Sequence, residues 1–326
     1  MQVFLLTLRQ LGILAVLGLL GYILRKREKL TDSAMDLLSC IIVNISLPAI
    51  IFSGFDIDFQ PGMIGNVAIF ALLEVAVMVV SNVIGRLTGK MTGRTPDQLG
   101  GWLFAHVVSN SGLVGVVVIS ALYGSPAMIY VSISLVISNI YLAVGEDRIF
   151  RRTGGARSPA EGETSVPTGQ KLRKLLLKPM FLAAVLGLVF FLFRIPYPVF
   201  LSEILSTVKA INAPLAMFIV GANLADDDLR VLFKSPTLYI FSLTRLVILP
   251  VLCCVILSFF PLDKYIVAAL VLIAAMPAPD VIVPCSREAG ADSVFAAQVT
   301  VFSTILSPVT IPLMAMLLEW FLRRMA

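Results

Sequence analysis

Apolar residues run through this chain in stretches too long and too continuous to be the buried stripe of a soluble helix. They fall at about 3–24, 33–53, 61–85, 98–123, 126–145, 178–194, 199–222, 236–259, 265–286 and 293–321. Crossing a bilayer takes about 20 mostly apolar residues in a helix. The pattern therefore predicts an all-α polytopic membrane protein of ten transmembrane helices joined by short loops. Composition agrees, with 58% hydrophobic and only 14% charged residues and a mean hydropathy of +0.96. Soluble domains carry about 25% charged residues. The first stretch has no basic segment ahead of it and ends on Arg25-Lys26-Arg27, so it reads as a retained span and not a cleaved leader.

The net charge of +5 could point to nucleic acid, but the basic residues sit where topology signals sit. Eighteen of the 25 Lys and Arg residues fall in alternate loops, four in the others, and Arg9, Lys209 and Arg245 lie within spans. Positive residues mark the cytoplasmic side, which predicts a multi-pass protein of the cell membrane with both termini extracytoplasmic. Cys40, Cys253, Cys254 and Cys285 lie in or beside apolar runs. Without metal-ligand spacing or a disulfide pattern, they read as packing residues.

The longest polar segment, 146–177, reads as a cytoplasmic linker between halves 1–145 and 178–326. Each half holds five spans, so the second must enter the membrane from the opposite side, giving a 5+5 inverted repeat. Local matches support the duplication. Asn44 to Pro48 corresponds to Asn212 to Leu215, offset by 168; Asn110-Ser111-Gly112 to Pro277-Ala278-Pro279, by 167; Gly124 to Gly290, by 166. The competing reading is that proline and glycine simply recur in membrane helices.

Two spans carry residues that a regular helix does not tolerate. Span 4 contains Ser109-Asn110-Ser111-Gly112; serine and asparagine compete for helical backbone bonds and glycine weakens them. Span 9 contains Pro277, Pro279 and Pro284, each removing a backbone donor and clashing with a preceding carbonyl. Unwound backbone inside a membrane requires protein or a wet cavity around it. Paired breaks in an inverted repeat point to a transporter's binding site. Free N–H groups at such breaks suit an anion and free carbonyls a cation; kinks supported only by neighbouring helices are the alternative. The expected substrate-binding residues are Ser109, Asn110, Ser111, Gly112, Pro277, Ala278, Pro279 and Asn44.

These motifs resemble the auxin efflux carrier family, which includes the plant PIN-FORMED auxin exporters and bacterial permeases for malate and malonate. The resemblance rests on Asn44 to Phe52 (NISLPAIIF), Ser109 to Gly115 (SNSGLVG), Pro214 to Leu224 (PLAMFIVGANL), Met276 to Pro284 and Ser303 to Leu313, spread over both halves. It implies a scaffold of helices 1, 2, 6 and 7 that dimerises, and a transport domain of helices 3–5 and 8–10 with crossovers in helices 4 and 9. Family members commonly place a proline shortly after the helix 4 break, where this chain has Val116 and Val117. The short linker favours a compact microbial type.

Ionisable residues deep in spans cost a few kcal/mol and need a partner or a task. Glu74, Arg245 and Asp280 lie there. A Glu74–Arg245 pair could lock helices together, or this pair or Asp280 could carry coupling to a proton or sodium ion. His106, the only histidine, shares a helical face with Asn110 and reads as a hydrogen-bonded neighbour of the cavity or a titrating group. An intramembrane serine hydrolase using His106 is the rival enzyme, but the glycine there follows Ser-Asn-Ser and hydrolysis does not explain the duplication. No phosphate-binding loop or metal-ligand cluster is present, which argues against ATP-driven pumping and predicts no cofactor. The reading is a secondary transporter of a small organic anion, a carboxylate, working by alternating access in the lipid bilayer, with no enzyme activity and no nucleic-acid partner. A channel or substrate sensor on the same fold is the alternative.

Overall fold

The computed structural model describes residues 2–57, 62–152, 176–226 and 229–325. Among these, every regular element is a helix and no strand occurs. Seven helices are long and apolar enough to cross a membrane: Asp32–Ser53, Met63–Met91, Pro96–Tyr123, Ser125–Leu142, Val199–Ala225, Pro236–Leu257 and Ser293–Arg324. Pro179–Leu192 and Lys264–Ala274 are shorter apolar helices. The protein is thus a helical, multi-pass membrane protein.

Helix α1 (Gln2–Lys26) ends where Arg25 caps the turn, donating to the Leu30 carbonyl at 2.9 Å and pairing with Asp32 at 2.6 Å. Helix α2 (Asp32–Ile41) starts on Thr31, whose hydroxyl accepts from the Ala34 N–H. It passes through a wide π-helical turn, Ile42–Ser46, into α3 (Leu47–Ser53). The turn has a cause in Pro48, which cannot donate to the carbonyl four residues back and crowds it.

Helix α4 (Met63–Met91) extends past the expected boundary at 85. Helix α5 (Pro96–Val107) is followed by extended backbone at Val108 and a π-helical turn, Ser111–Gly115, before α6 (Val116–Tyr123). Gly124 then turns the chain with a φ of +66°, a conformation that residues with a Cβ rarely adopt. Helix α7 (Ser125–Arg152) runs beyond the expected span end at 145, so the start of the predicted linker is helical; its residues 153–175 lie outside the described residues.

In the second half come α8 (Pro179–Leu192), α9 (Val199–Ala210), α10 (Asn212–Asp226) and the short α11 (Leu229–Lys234). Helix α12 (Pro236–Leu243) joins α13 (Leu249–Leu257) through another π-helical turn, Thr244–Ile248, again just ahead of a proline, Pro250. Helix α14 (Lys264–Ala274) and α15 (Ile282–Glu288) flank the proline-rich break, and Gly290 closes α15 with a φ of +69°. Helix α16 (Ser293–Met325) runs unbroken through Pro308 and Pro312. Pro308 deprives the Thr304 carbonyl of its helical donor, and the Ser307 hydroxyl supplies a substitute at 2.8 Å.

Burial sorts these helices. The stretches Gly100–Val107 of α5 and Ile266–Ala274 of α14 are buried on every side, as expected of helices in a core. Helix α4 buries one stripe: Phe70, Glu74, Met78, Ser81, Gly85 and Thr88. Its opposite face exposes Leu72, Val75, Val79, Val83 and Leu87. Helices α1 and α10 touch backbone to backbone. A Cβ on Gly221 would strike the Gly18 carbonyl, and one on Gly21 would strike the Phe218 backbone.

Candidate functional site

The two breaks meet. In a continuous helix the Asn110 N–H would donate to the His106 carbonyl, four residues back. It turns instead to the Pro277 carbonyl of the other break, at 2.9 Å. The Ala278 N–H, leaving its own helix, donates to the Ser303 hydroxyl of α16 at 3.1 Å. Side chains add a second link, with the Asn110 amide donating to one Asp280 carboxylate oxygen at 3.3 Å and the Asn223 amide of α10 to the other at 3.5 Å. Below them Asn212, at the start of α10, donates to the Gly112 carbonyl at 3.1 Å and accepts from the Ser46 hydroxyl at 3.3 Å.

This junction lies in the wall of a cavity of about 690 Å³. Ser109, Asn110, Ser111, Gly112, Pro279 and Asp280 all line it. Exposed Asp36, Lys178 and Arg287 also line it, and Lys178 and Arg287 are among the eighteen basic residues counted on one side of the membrane. A second cavity of about 880 Å³ is lined by Asp56, Arg194, Tyr197 and Asp263, among others. Helix α8 runs from the first cavity, at Met180, to the second, at Phe190 and Phe191. Fourteen residues of helix span about 21 Å, so the cavities open at opposite ends of the same helices. In the wall of the second cavity Tyr197 packs on Phe52 and Phe190 and donates to the Phe52 carbonyl at 3.0 Å. Burial raises the Tyr197 phenol above its ordinary range, and Asp56 adds to the effect, which keeps it a donor.

Not every residue expected at the site is there. Pro277 and Ala278 stand behind the cavity wall and act through their backbone. Asn44 is exposed, its amide turned to the Cys40 carbonyl at 3.0 Å and the Cys40 thiol at 3.4 Å, because the π-helical turn rotates Ser46 rather than Asn44 inward. Cys40 is accordingly exposed, while Cys253, Cys254 and Cys285 are buried as expected. Glu74 and Arg245 do not form the anticipated ion pair. The Glu74 carboxylate accepts from the Ser134 hydroxyl at 2.8 Å, and Arg245 donates to the His106 carbonyl at 2.6 Å. They remain within electrostatic range of each other. His106 is buried away from the cavity against Trp102 and Phe241. Its Nδ1 faces the Trp102 carbonyl at 2.9 Å and so carries the hydrogen, leaving Nε2 to the Thr244 hydroxyl at 3.1 Å.

Asn223 escaped the sequence reading, as did Ser138, Asn139 and Thr300, which also line the cavity. Asn223 had one signal, an amide one residue beyond an apolar stretch that also holds Asn212.

A multi-helix membrane protein with a polar junction of broken helices beside an open cavity has the build of a transporter. The chain belongs to the membrane transport protein family, the auxin efflux carrier family, whose model matches residues 7–315. It is similar to an uncharacterized transporter of Methanothermobacter thermautotrophicus, 25% identical over 306 residues that cover 93% of this chain and 95% of that protein. Both matches are to transporters.

Proposed function

We propose that the protein is a secondary transporter that carries a small organic anion, a carboxylate, across the cell membrane by alternating access. Its frame is a ten-helix 5+5 inverted repeat with both termini extracytoplasmic, dimerised through the scaffold helices. The single observation that carries the reading is the hydrogen bond from the Asn110 N–H to the Pro277 carbonyl, which joins two broken helices at the wall of an open cavity. The second cavity at the far end of the same helices supports it, since one site facing two vestibules is what alternation requires.

The cargo carboxylate would sit against Asn110, Ser109, Ser111 and Gly112, where neutral donors cluster. Asp280 is then the obstacle, because two carboxylates cannot share such a site while both are charged. A proton on Asp280, or a sodium ion beside it, would travel with the cargo and balance the charge. Reconstituted vesicles offered dicarboxylates, monocarboxylates and indole acids test this. Saturable uptake of one acid class, accelerated by the same acid on the far side, is expected, and D280N should keep exchange but lose stimulation by an imposed proton or sodium gradient. Uptake of neutral amines and of no acid would overturn the anion assignment. Flux that never saturates would identify a channel, and binding without flux a sensor.

A further inference from the structure

We propose that Arg245 is a positioning residue of the transport site: its guanidinium replaces the helical hydrogen bond that Asn110 gives up, and so holds the first break open. The argument is an accounting of backbone groups. Once the Asn110 N–H has gone to the Pro277 carbonyl, the His106 carbonyl has no helical donor, in a segment with no access to water: His106 is 1% exposed. A buried carbonyl left without a donor is costly and is nearly always repaired. Two side chains repair this one. Arg245 donates from Nη1 at 2.6 Å, and the Ser81 hydroxyl donates to the same oxygen.

Each donor is placed for the purpose. Arg245 is 2% exposed and sits in the π-helical turn Thr244–Ile248, whose widened backbone is produced by Pro250. Ser81 lies on the buried stripe of α4, two helical turns from Glu74. The charge of Arg245 also opposes the dipole at the carbonyl end of α5, where a cation is favourable. Glu74, held by Ser134, supplies the counter-charge without taking the Arg245 N–H that the His106 carbonyl accepts. Arg245 thus touches neither cavity nor cargo, yet it decides whether Asn110 points along its own helix or across to Asp280. This rests on the reading of Asn110 as part of the cargo site.

The test compares purified wild type with R245M, R245K, S81A and the double variant E74Q/R245M, which leaves no stranded carboxylate. Hydrogen–deuterium exchange is read without cargo over the peptide 104–112 and over α1 and α9 as controls. In R245M and the double variant, exchange in that peptide should rise about tenfold while the controls stay unchanged, because the buried His106 carbonyl, short of a donor, destabilises the closed break and favours local opening. S81A should shift in the same direction by less. In vesicles, R245M should raise KM for the acid roughly tenfold at little changed maximal rate, with R245K restoring most of it. Unchanged exchange in 104–112, or loss of protection spread evenly over the chain, overturns the proposal. If exchange changes locally but no acid is carried even by wild type, the cargo assignment fails and the positioning role stands.

Discussion

Asp280 gathers two amides from different parts of the chain. Asn110 approaches from the first break and Asn223 from α10. Asn110 reaches Asp280 from the other half of the chain, whereas Asn223 shares the second half with it and ties α10 to the second break. Removing it in N223A deletes one long hydrogen bond to a carboxylate, worth about 1 kcal/mol. We expect KM for the acid to rise roughly fivefold with no loss of thermal stability, measured by uptake and by unfolding in detergent. An unchanged KM would place Asn223 outside the cargo site. Among single residues, Asn110, Ser109, Ser111 and Asp280 were legible as the lining of a cavity, because polar side chains inside an apolar span need a polar neighbour or water. Asn44 read equally well and faces outward, since one π-helical turn decides which side of α2 a residue occupies. No feature of the local sequence announces that rotation.

Helices differ in what the sequence can say about them. Each apolar run contains helix, and both breaks fall where serine, glycine and proline placed them. Which face is buried was not legible. On α4 the inward stripe holds Phe70 and Met78 and the outward face Leu72 and Val79, so apolarity no longer separates core from surface in a lipid solvent. Only the glycine and serine content hints at contact, as at Gly85, which packs against His106. Close approach is also an element-scale property, and it is testable at α1 and α10. G221L would drive a side chain into the Gly18 backbone. Overpacking costs typically 1–3 kcal/mol, more where backbone must move, so the midpoint of thermal unfolding should fall well below that of G12L, whose site is open. Equal midpoints would mean that the two helices do not pack this closely.

At the scale of the whole molecule, two cavities at opposite ends of shared helices make accessibility the decisive measurement. On a C40S background, a cysteine at Ser138, which lines the first cavity, should react with a membrane-impermeant maleimide from the side of Lys178 and Arg287. One at Asn66, in the second, should react from the other side. Under alternating access, saturating acid changes the two rates in opposite directions, since exposing one vestibule closes its counterpart. Rates that rise together would describe an open pore.

The amino-acid sequence by itself determined that the chain lives in a membrane, where its helices start and which two of them break, because hydropathy, proline and glycine act on neighbouring residues along the backbone. Tertiary structure alone decided what the broken ends do. The Asn110 N–H goes to Pro277, the His106 carbonyl to Arg245 and Ser81, and Asp280 to amides from two distant segments. A buried polar group must be paired but is indifferent to the origin of its partner. The choice is therefore made by packing across the fold, over separations of 25 to 170 residues that no local pattern encodes.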